Sequence, residues 1–365
     1  MAVQTDTRTR LDPQVFRLPV DRIRRGYYSD AYFVYTKQLL EAEGHRPRVT
    51  MQVFQKQESV LGGIDEAIAI LKLCSGHEQD GQWICGWDGL EVQALHEGDR
   101  IEPREPVLLI EGDYSLFAHL ETVYLGSLAR RSLVMRNVLE VVQAARGKQI
   151  FYFPARHDHW LVQTGDGWSA HVAGAIGVST DAQASWWGGR GMGTVPHGLI
   201  AAYAGDTVKA AEVFAKHFHQ DMNITVLVDW ENDSVRTALE VADALGDKLW
   251  GVRLDTAEDL VDRSLHQEMG GFKPTGVNPR LVHKVRDALD QAGFEHVRIV
   301  ASGGFTVARI NEFESRGVPV DAYGVGSSLI RGANDFTADI VLVDGRPCAK
   351  VGRHYYPNPR LQRVQ

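Results

Sequence analysis

The hydrophobic pattern in the first part of the chain switches between two periods. Over Arg48–Gln55, Val49, Met51 and Val53 alternate with Thr50, Gln52 and Phe54, which predicts a strand. Over Gly63–Leu73, Ile64, Ala67, Ile68 and Leu71 recur at helical spacing. A proline-punctuated stretch, Glu97–Gly112, ends in the apolar run Val107–Ile110, a short buried strand. Leu116–Gln143 reads as a long helix with Gly126 as a candidate break.

From about residue 150 the rhythm changes. Short apolar runs end in polar or glycine-rich residues, and a helix usually follows. Ile150–Phe153 runs to Arg156, Thr225–Val228 to Asp229, and Trp250–Leu254 to Asp255. Val297–Val300 runs to Ser302-Gly303-Gly304, and Ala322–Val325 to Gly326-Ser327. Asp233, Asn278 and Thr306 stand where N-caps belong, and Gly246, Gly293 and Gly317 close the same three helices. Alternating strands and helices imply parallel strands joined by helical crossovers. The expected fold class is α/β, and five or more such units in the second part of the chain fit a closed barrel or, as the alternative, an open doubly wound sheet. Ile340–Val343 with Asp344-Gly345 predicts a late strand and turn returning to the first domain.

Composition narrows the function classes. At 365 residues with 44% hydrophobic and 24% charged residues, the chain is an ordinary globular protein of about two domains. Its net charge of −8 argues against general nucleic-acid binding. No apolar run reaches the roughly 20 residues of a membrane span. Met1–Pro19 carries no apolar core of a secretory signal. The three scattered cysteines, Cys74, Cys85 and Cys348, suggest neither a disulfide framework nor a zinc knuckle, so a cytoplasmic location is expected. Glycine, at 36 residues, exceeds the usual share of about 7%.

The candidate chemistry lies at the strand ends, where β/α barrels keep their functional residues. Ala301-Ser302-Gly303-Gly304 before a helix at Thr306 is an anion cradle, because glycines admit a phosphate close to backbone N–H groups. Gly324–Ser328 supplies a second turn one strand later, and the pair reads as a phosphate site or as two tight βα turns. Asp255 is placed to accept ribose hydroxyls or to cap a helix over Glu258–Leu265, and spacing does not choose between these. Gly188-Gly-Arg-Gly-Met-Gly-Thr-Val-Pro-His197 packs glycines before a histidine. It is neither a G-x-G-x-x-G nor a Walker A loop. It reads as a mobile loop carrying His197 to a phosphate, or as a solvent loop. His157-Asp158-His159 is a weak metal set without a third ligand.

Several of these pieces together resemble the nicotinate phosphoribosyltransferase family, a type II phosphoribosyltransferase group. They are Tyr28-Ser-Asp-Ala-Tyr32, Pro106–Gly112, Arg156, Gly177-Val-Ser-Thr180, Gly193-Thr-Val-Pro-His197, Val252-Arg-Leu-Asp-Thr256, Ala301–Gly304 and Gly324–Ser327. They occur in family order over about residues 27–330.

The resemblance implies an N-terminal α/β sandwich, residues 1–125 completed by 331–365, and an irregular TIM-like α/β barrel over 126–330. It implies transfer of phosphoribose from phosphoribosyl pyrophosphate to nicotinate, with Mg2+ and with ATP as co-substrate, in NAD biosynthesis. Residue by residue, Asp30 and Tyr32 match the family's Asp-x-Tyr, whose tyrosine stacks on the pyridine ring, often from a neighbouring subunit. Tyr28, Thr180 and Thr194 stand in the substrate-side motifs. Arg156 matches an arginine on the sugar phosphate or substrate carboxylate, His197 the histidine phosphorylated by ATP, and Asp255 the carboxylate near ribose. Ser302, Gly303, Gly304, Gly326 and Ser327 fall in the 5′-phosphate loops. A homodimer or higher homo-oligomer follows if the tyrosine acts across subunits. Some members carry two arginines where this chain has Arg156-His157, and some carry a C-terminal metal knuckle where this chain has Cys348 alone. Quinolinate or nicotinamide phosphoribosyltransfer is the nearest alternative. A catalytically silent, nucleotide-binding regulatory barrel is the alternative from a different class.

Overall fold

The structure, a computed structural model, describes residues 9–364. It divides into two compact units, one running up to Arg136 and resuming at Gly332, the other spanning Asn137–Arg331.

The first unit is built on a six-stranded antiparallel sheet. Its order is Arg346–Pro347, Thr337–Val343, Arg48–Phe54, Leu108–Asp113, Leu90–Ala94 and Gln362–Arg363. The late strand therefore does return to the first domain, pairing with Val49 to Phe54 of the central strand. That central strand departs from the alternation expected of it: Val49 to Phe54 are all buried. The polar face is tolerated because Gln52 is satisfied by the C-terminal tail. Its amide donates to His354 O at 2.9 Å and accepts from Tyr356 N at 3.1 Å. Helix Ile64–Cys74 buries nine residues, and six of them, Ile64, Ala67, Ile68, Ile70, Leu71 and Cys74, join the same core. Each fully buried Ile, Leu or Val there contributes about 1.5–3 kcal/mol. Helix Glu121–Ala144 runs unbroken through Gly126. A Cβ at Gly126 would meet nothing within 4 Å, so this glycine marks neither a close approach nor a kink.

The second unit carries six parallel strands in the order Ile224–Leu227, Leu249–Leu254, Arg298–Ala301, Ala322–Val325, Gln149–Tyr152 and Gly177–Val178. The sheet curls, and residues 192–195 span its two edge strands. Met192 N donates to Val178 O at 2.7 Å, and Val195 N donates to Thr225 O at 2.9 Å.

Helices start where their caps predict, with one exchange of roles. Asn278 caps Pro279–Gln291 by accepting from Leu281 N, and Thr306 caps Val307–Ser315 by accepting from Arg309 N. Asp233 holds the N-cap position of Ser234–Leu245 but makes no capping bond. The fully buried Asp262, from a distant loop, accepts from Ser234 N at 2.9 Å instead.

Candidate active site

The carboxyl ends of the parallel strands surround a cleft of about 750 Å³. Strand alternation puts Arg253 and Asp255 on one face, since side chains two apart in a strand point the same way. Asp255 is not a helix cap, because no helix covers 258–262. Its Oδ1 accepts from the Ser302 hydroxyl at 2.7 Å and its Oδ2 from Arg253 Nη2 at 3.2 Å. Arg253 also donates Nε to Ser302 Oγ at 2.8 Å, and Nη1 reaches Thr194 Oγ1 at 3.4 Å. Its guanidinium lies 4.9 Å from the centre of the Phe153 ring. One cation thus ties three strand ends together and stays largely shielded from water.

The two glycine turns open on the same space. Gly303 and Gly304 take φ values of +82° and +72°, which L side chains rarely adopt. A Cβ on Gly304 would run into the Glu258 carboxylate. Arg309 braces this turn from behind, donating to Gly303 O at 2.9 Å and to Val277 O at 2.5 Å. Gly326 and Ser327 line the same cleft from the next strand, with Arg331 beside them.

His197 opens the short helix His197–Ala202, directly after the strip that spans the sheet edges. Its Nε2 lies 2.9 Å from Oδ1 of Asp229, whose side chain is largely shielded and which follows the strand Ile224–Leu227 by two residues. That hydrogen bond holds the imidazole above its ordinary pKa, and partial burial opposes it.

The structure brings most of the expected site together. His197, Asp255, Arg156, Thr194, Ser302, Gly303, Gly304, Gly326 and Ser327 all line this one cleft. Arg156 makes no hydrogen bond or ion pair among the described residues. Thr180 does not line the cleft. Its hydroxyl caps Asp181–Ala184 and donates to Gln163 Oε1 at 2.9 Å, and Ser179 lines the cleft in its place.

Tyr28, Asp30 and Tyr32 belong to the first unit. There Asp30 precedes helix Ala31–Ala42 and accepts from Thr122 Oγ1 at 2.8 Å, while Tyr28 and Tyr32 are exposed.

Arg253, Arg331 and Glu258 were not singled out from the sequence. Arg253 had a usable signal in its place two residues before Asp255. Arg331 had none, because it follows the last barrel strand in irregular chain. Among the described residues, no group of three or more His, Cys, Asp or Glu could hold a metal ion, and no helix is long and apolar enough to cross a membrane.

Comparison with known proteins gives a consistent answer. The family pattern described as quinolinate phosphoribosyl transferase, N-terminal domain, matches residues 30–132. Nicotinate phosphoribosyltransferase pncB2 of Mycobacterium tuberculosis is 30% identical over 289 residues, 76% of this chain and 57% of the relative. Its paralogue pncB1 is 29% identical over 272 residues, 71% of this chain and 55% of the relative. The chain thus spans little more than half the length of these curated relatives. A solved structure titled nicotinate-nucleotide pyrophosphorylase, from Pyrococcus furiosus, is 32% identical. That match covers 95% of this chain and 85% of that one, with a TM-score of 0.77. Human nicotinic acid phosphoribosyltransferase shares the fold at 18% identity, with a TM-score of 0.66 over 90% of this chain and 77% of that one. With the strand-end cleft and these relatives together, the chain belongs to the nicotinate phosphoribosyltransferase family, a type II phosphoribosyltransferase group.

Proposed function

We propose that the protein forms nicotinate mononucleotide and pyrophosphate from nicotinate and phosphoribosyl pyrophosphate, with ATP hydrolysis as a drive, in NAD biosynthesis. The observation that carries the proposal is convergence: two glycine turns, the Arg253–Asp255–Ser302 network and His197, itself held by Asp229, line one cleft.

The chemistry follows from that arrangement. The pyridine nitrogen attacks C1 of the ribose, and the bond from C1 to the diphosphate oxygen breaks through an oxocarbenium-like state. The protein's task is to orient two substrates and to meet charge where it develops. The glycine turns seat the 5′-phosphate. Asp255, locked by Ser302 and Arg253, takes ribose hydroxyls without having to reorganise. Arg253 and Arg156 offset charge on the leaving diphosphate and on the base carboxylate. Asp255 and Glu258 are the cleft carboxylates that would hold magnesium, and a set of two fits an ion that keeps mostly substrate oxygens and water. When bound, such an ion would supply positive charge against the leaving diphosphate.

His197 takes the phosphoryl group of ATP on Nδ1. Asp229 accepts the Nε2 proton, so Nδ1 carries the free lone pair. As the new P–N bond forms and the bond to ADP breaks, the ring becomes cationic, and Asp229 stabilises it. His197→Ala is expected to keep basal transfer and lose its stimulation by ATP. Full stimulation in that variant would exclude the role.

The deciding experiment is a mass-spectrometric product assay with phosphoribosyl pyrophosphate and each pyridine base, with and without ATP. The quinolinate reading draws on the family pattern over residues 30–132. That match lies outside the unit holding the cleft, and the His197–Asp229 pair has no task in it. Carbon dioxide released from quinolinate would reverse the choice.

A further inference from the structure

The first unit holds a cavity of its own, of about 450 Å³, in the size range of small-molecule sites. Its wall comes from helix Val20–Arg24 and the turn after it, helix Ala31–Ala42, the hairpin of Gly76–Gln79 with Gln82–Cys85, and His119. His119 is 1% exposed, and neither ring nitrogen has a hydrogen-bond partner among the described residues. The Cys74 carbonyl acts on the ring as an acceptor, short of hydrogen-bond geometry. Burial, with Lys37 nearby, pushes the pKa down to about 3, so the ring is neutral and carries one N–H and one lone pair. An unmade bond on a buried polar group costs about 1–3 kcal/mol. Phenylalanine would fill the same place beside Trp83, whose ring centre is 6.2 Å away, without that cost. Packing therefore does not account for the histidine, and a ligand in the cavity does.

The other lining groups narrow the ligand. Lys37 is engaged by Gly76 O, Ser115 O and Glu41, and Arg24 by Leu73 O and the Trp83 ring. The side chains of Asp21, Arg25 and Glu78 are exposed at the rim and make no hydrogen bond or ion pair among the described residues. With the ring N–H drawn to Cys74 O, the lone pair is what His119 offers, and it calls for an N–H donor. The buried ammonium of Lys37 nearby disfavours a cationic one. An adenine nucleoside combines the required parts. Its exocyclic amine is a neutral donor for the imidazole, and its flat base suits an indole wall. Its ribose hydroxyls donate to the rim carboxylates of Asp21 and Glu78, and Arg25 suits a 5′-phosphate without requiring one.

We propose that this cavity binds an adenine nucleoside and is placed to act on Asp30 and Tyr32. The Ser29 hydroxyl donates to the backbone oxygen of His119. Three residues further on, Thr122 Oγ1 accepts from Asp30 N at 3.0 Å and donates to Asp30 Oδ2 at 2.8 Å. Helix Ala31–Ala42 carries Tyr32 near its start and sets Val34, Lys37, Gln38 and Glu41 on the cavity wall. A ligand that takes up His119 therefore bears on the segment that the family resemblance sets against the pyridine ring. That effect rests on the phosphoribosyl reading of the protein, and the binding itself does not.

Calorimetric titration with adenosine, which lacks a phosphate for the glycine turns of the other cleft, tests the site. Wild type is expected to bind adenosine about tenfold more tightly than inosine, which has a carbonyl in place of the amine. His119→Phe, which keeps the packing, and Glu78→Ala, at the exposed rim, should each weaken adenosine binding about tenfold. Asp255→Asn should bind adenosine as wild type does. Without ATP, saturating adenosine should shift the KM for nicotinate about fivefold in wild type and leave that of His119→Phe in place. Adenosine that does not bind, or that binds equally well to His119→Phe and Glu78→Ala, overturns the proposal. Binding at His119 with an unmoved KM in an active enzyme overturns the link to Asp30 and Tyr32. Binding at His119 in a protein that makes no nicotinate mononucleotide upholds the site and sinks the functional reading alone.

Discussion

The core of the first unit and the cleft of the second hold charge in opposite ways. In the first, Glu66 and Arg131 are both almost wholly enclosed and meet at 3.0 Å. Asp65 is likewise buried against Arg10 at 2.8 Å. Buried Lys37 spends its ammonium on Gly76 O and Ser115 O. Every one of these charges is consumed by the fold. In the second unit, Arg253, Asp255 and His197 are also paired, but each stays partly open to the cleft. Pairing alone therefore does not separate structural from functional charge. What separates them is whether the pair leaves an atom facing a space large enough for a substrate.

The sharpest way to break this comparison is to remove a consumed charge. Arg131→Ala strands Glu66 in the core and should cost about 3–5 kcal/mol of stability, with no change in KM among molecules that remain folded. Chemical denaturation measures it, and a stability loss under 1 kcal/mol would deny the pair its structural role. Next, Asp255→Asn should lower kcat/KM by about 10²–10³-fold with an unchanged Tm, read from steady-state rates and a thermal melt. A large fall in Tm instead would move Asp255 into the structural class. Gly304→Ala, strained at φ +72° and crowding Glu258, should weaken phosphate affinity about tenfold by calorimetry.

The smallest effect is a shift in pH. In the proposed phosphorylation, attack by Nδ1 requires neutral His197, and Asp229 raises the pKa of that ring. ATP-dependent labelling of His197 should therefore rise with pH through a midpoint above the usual imidazole value. Asp229→Asn should move that midpoint down, which radiolabel incorporation across pH would show. A midpoint that stays in place would separate Asp229 from the titration.

Local signals carried much of the fold. Asn278, Thr306 and the closing glycines mark helix ends because caps act within a turn or two of sequence. The replacement of Asp233 by Asp262 as cap was illegible, since the partner lies 28 residues away. The buried outer face of Arg48–Phe54 was hidden for the same reason: its cover, around His354 and Tyr356, comes from the far end of the chain. In the site, the glycine turns and His197 stood out by composition. Arg253 did not, because an arginine within an apolar strand looks like an outward-facing one until its neighbours are known. Asp255 kept two readings until the absence of a helix after it removed one.

Residues 192–195 bridge the sheet's edges through Val178 O and Thr225 O, and Thr194 and His197 sit on or just after that bridge. The strip that joins the two edges of the sheet and the histidine proposed to take a phosphoryl group are therefore contiguous in the chain. If the proposed phosphorylation displaces the backbone at His197, the hydrogen bonds to Thr225 O and Val178 O are the first inter-strand contacts it reaches.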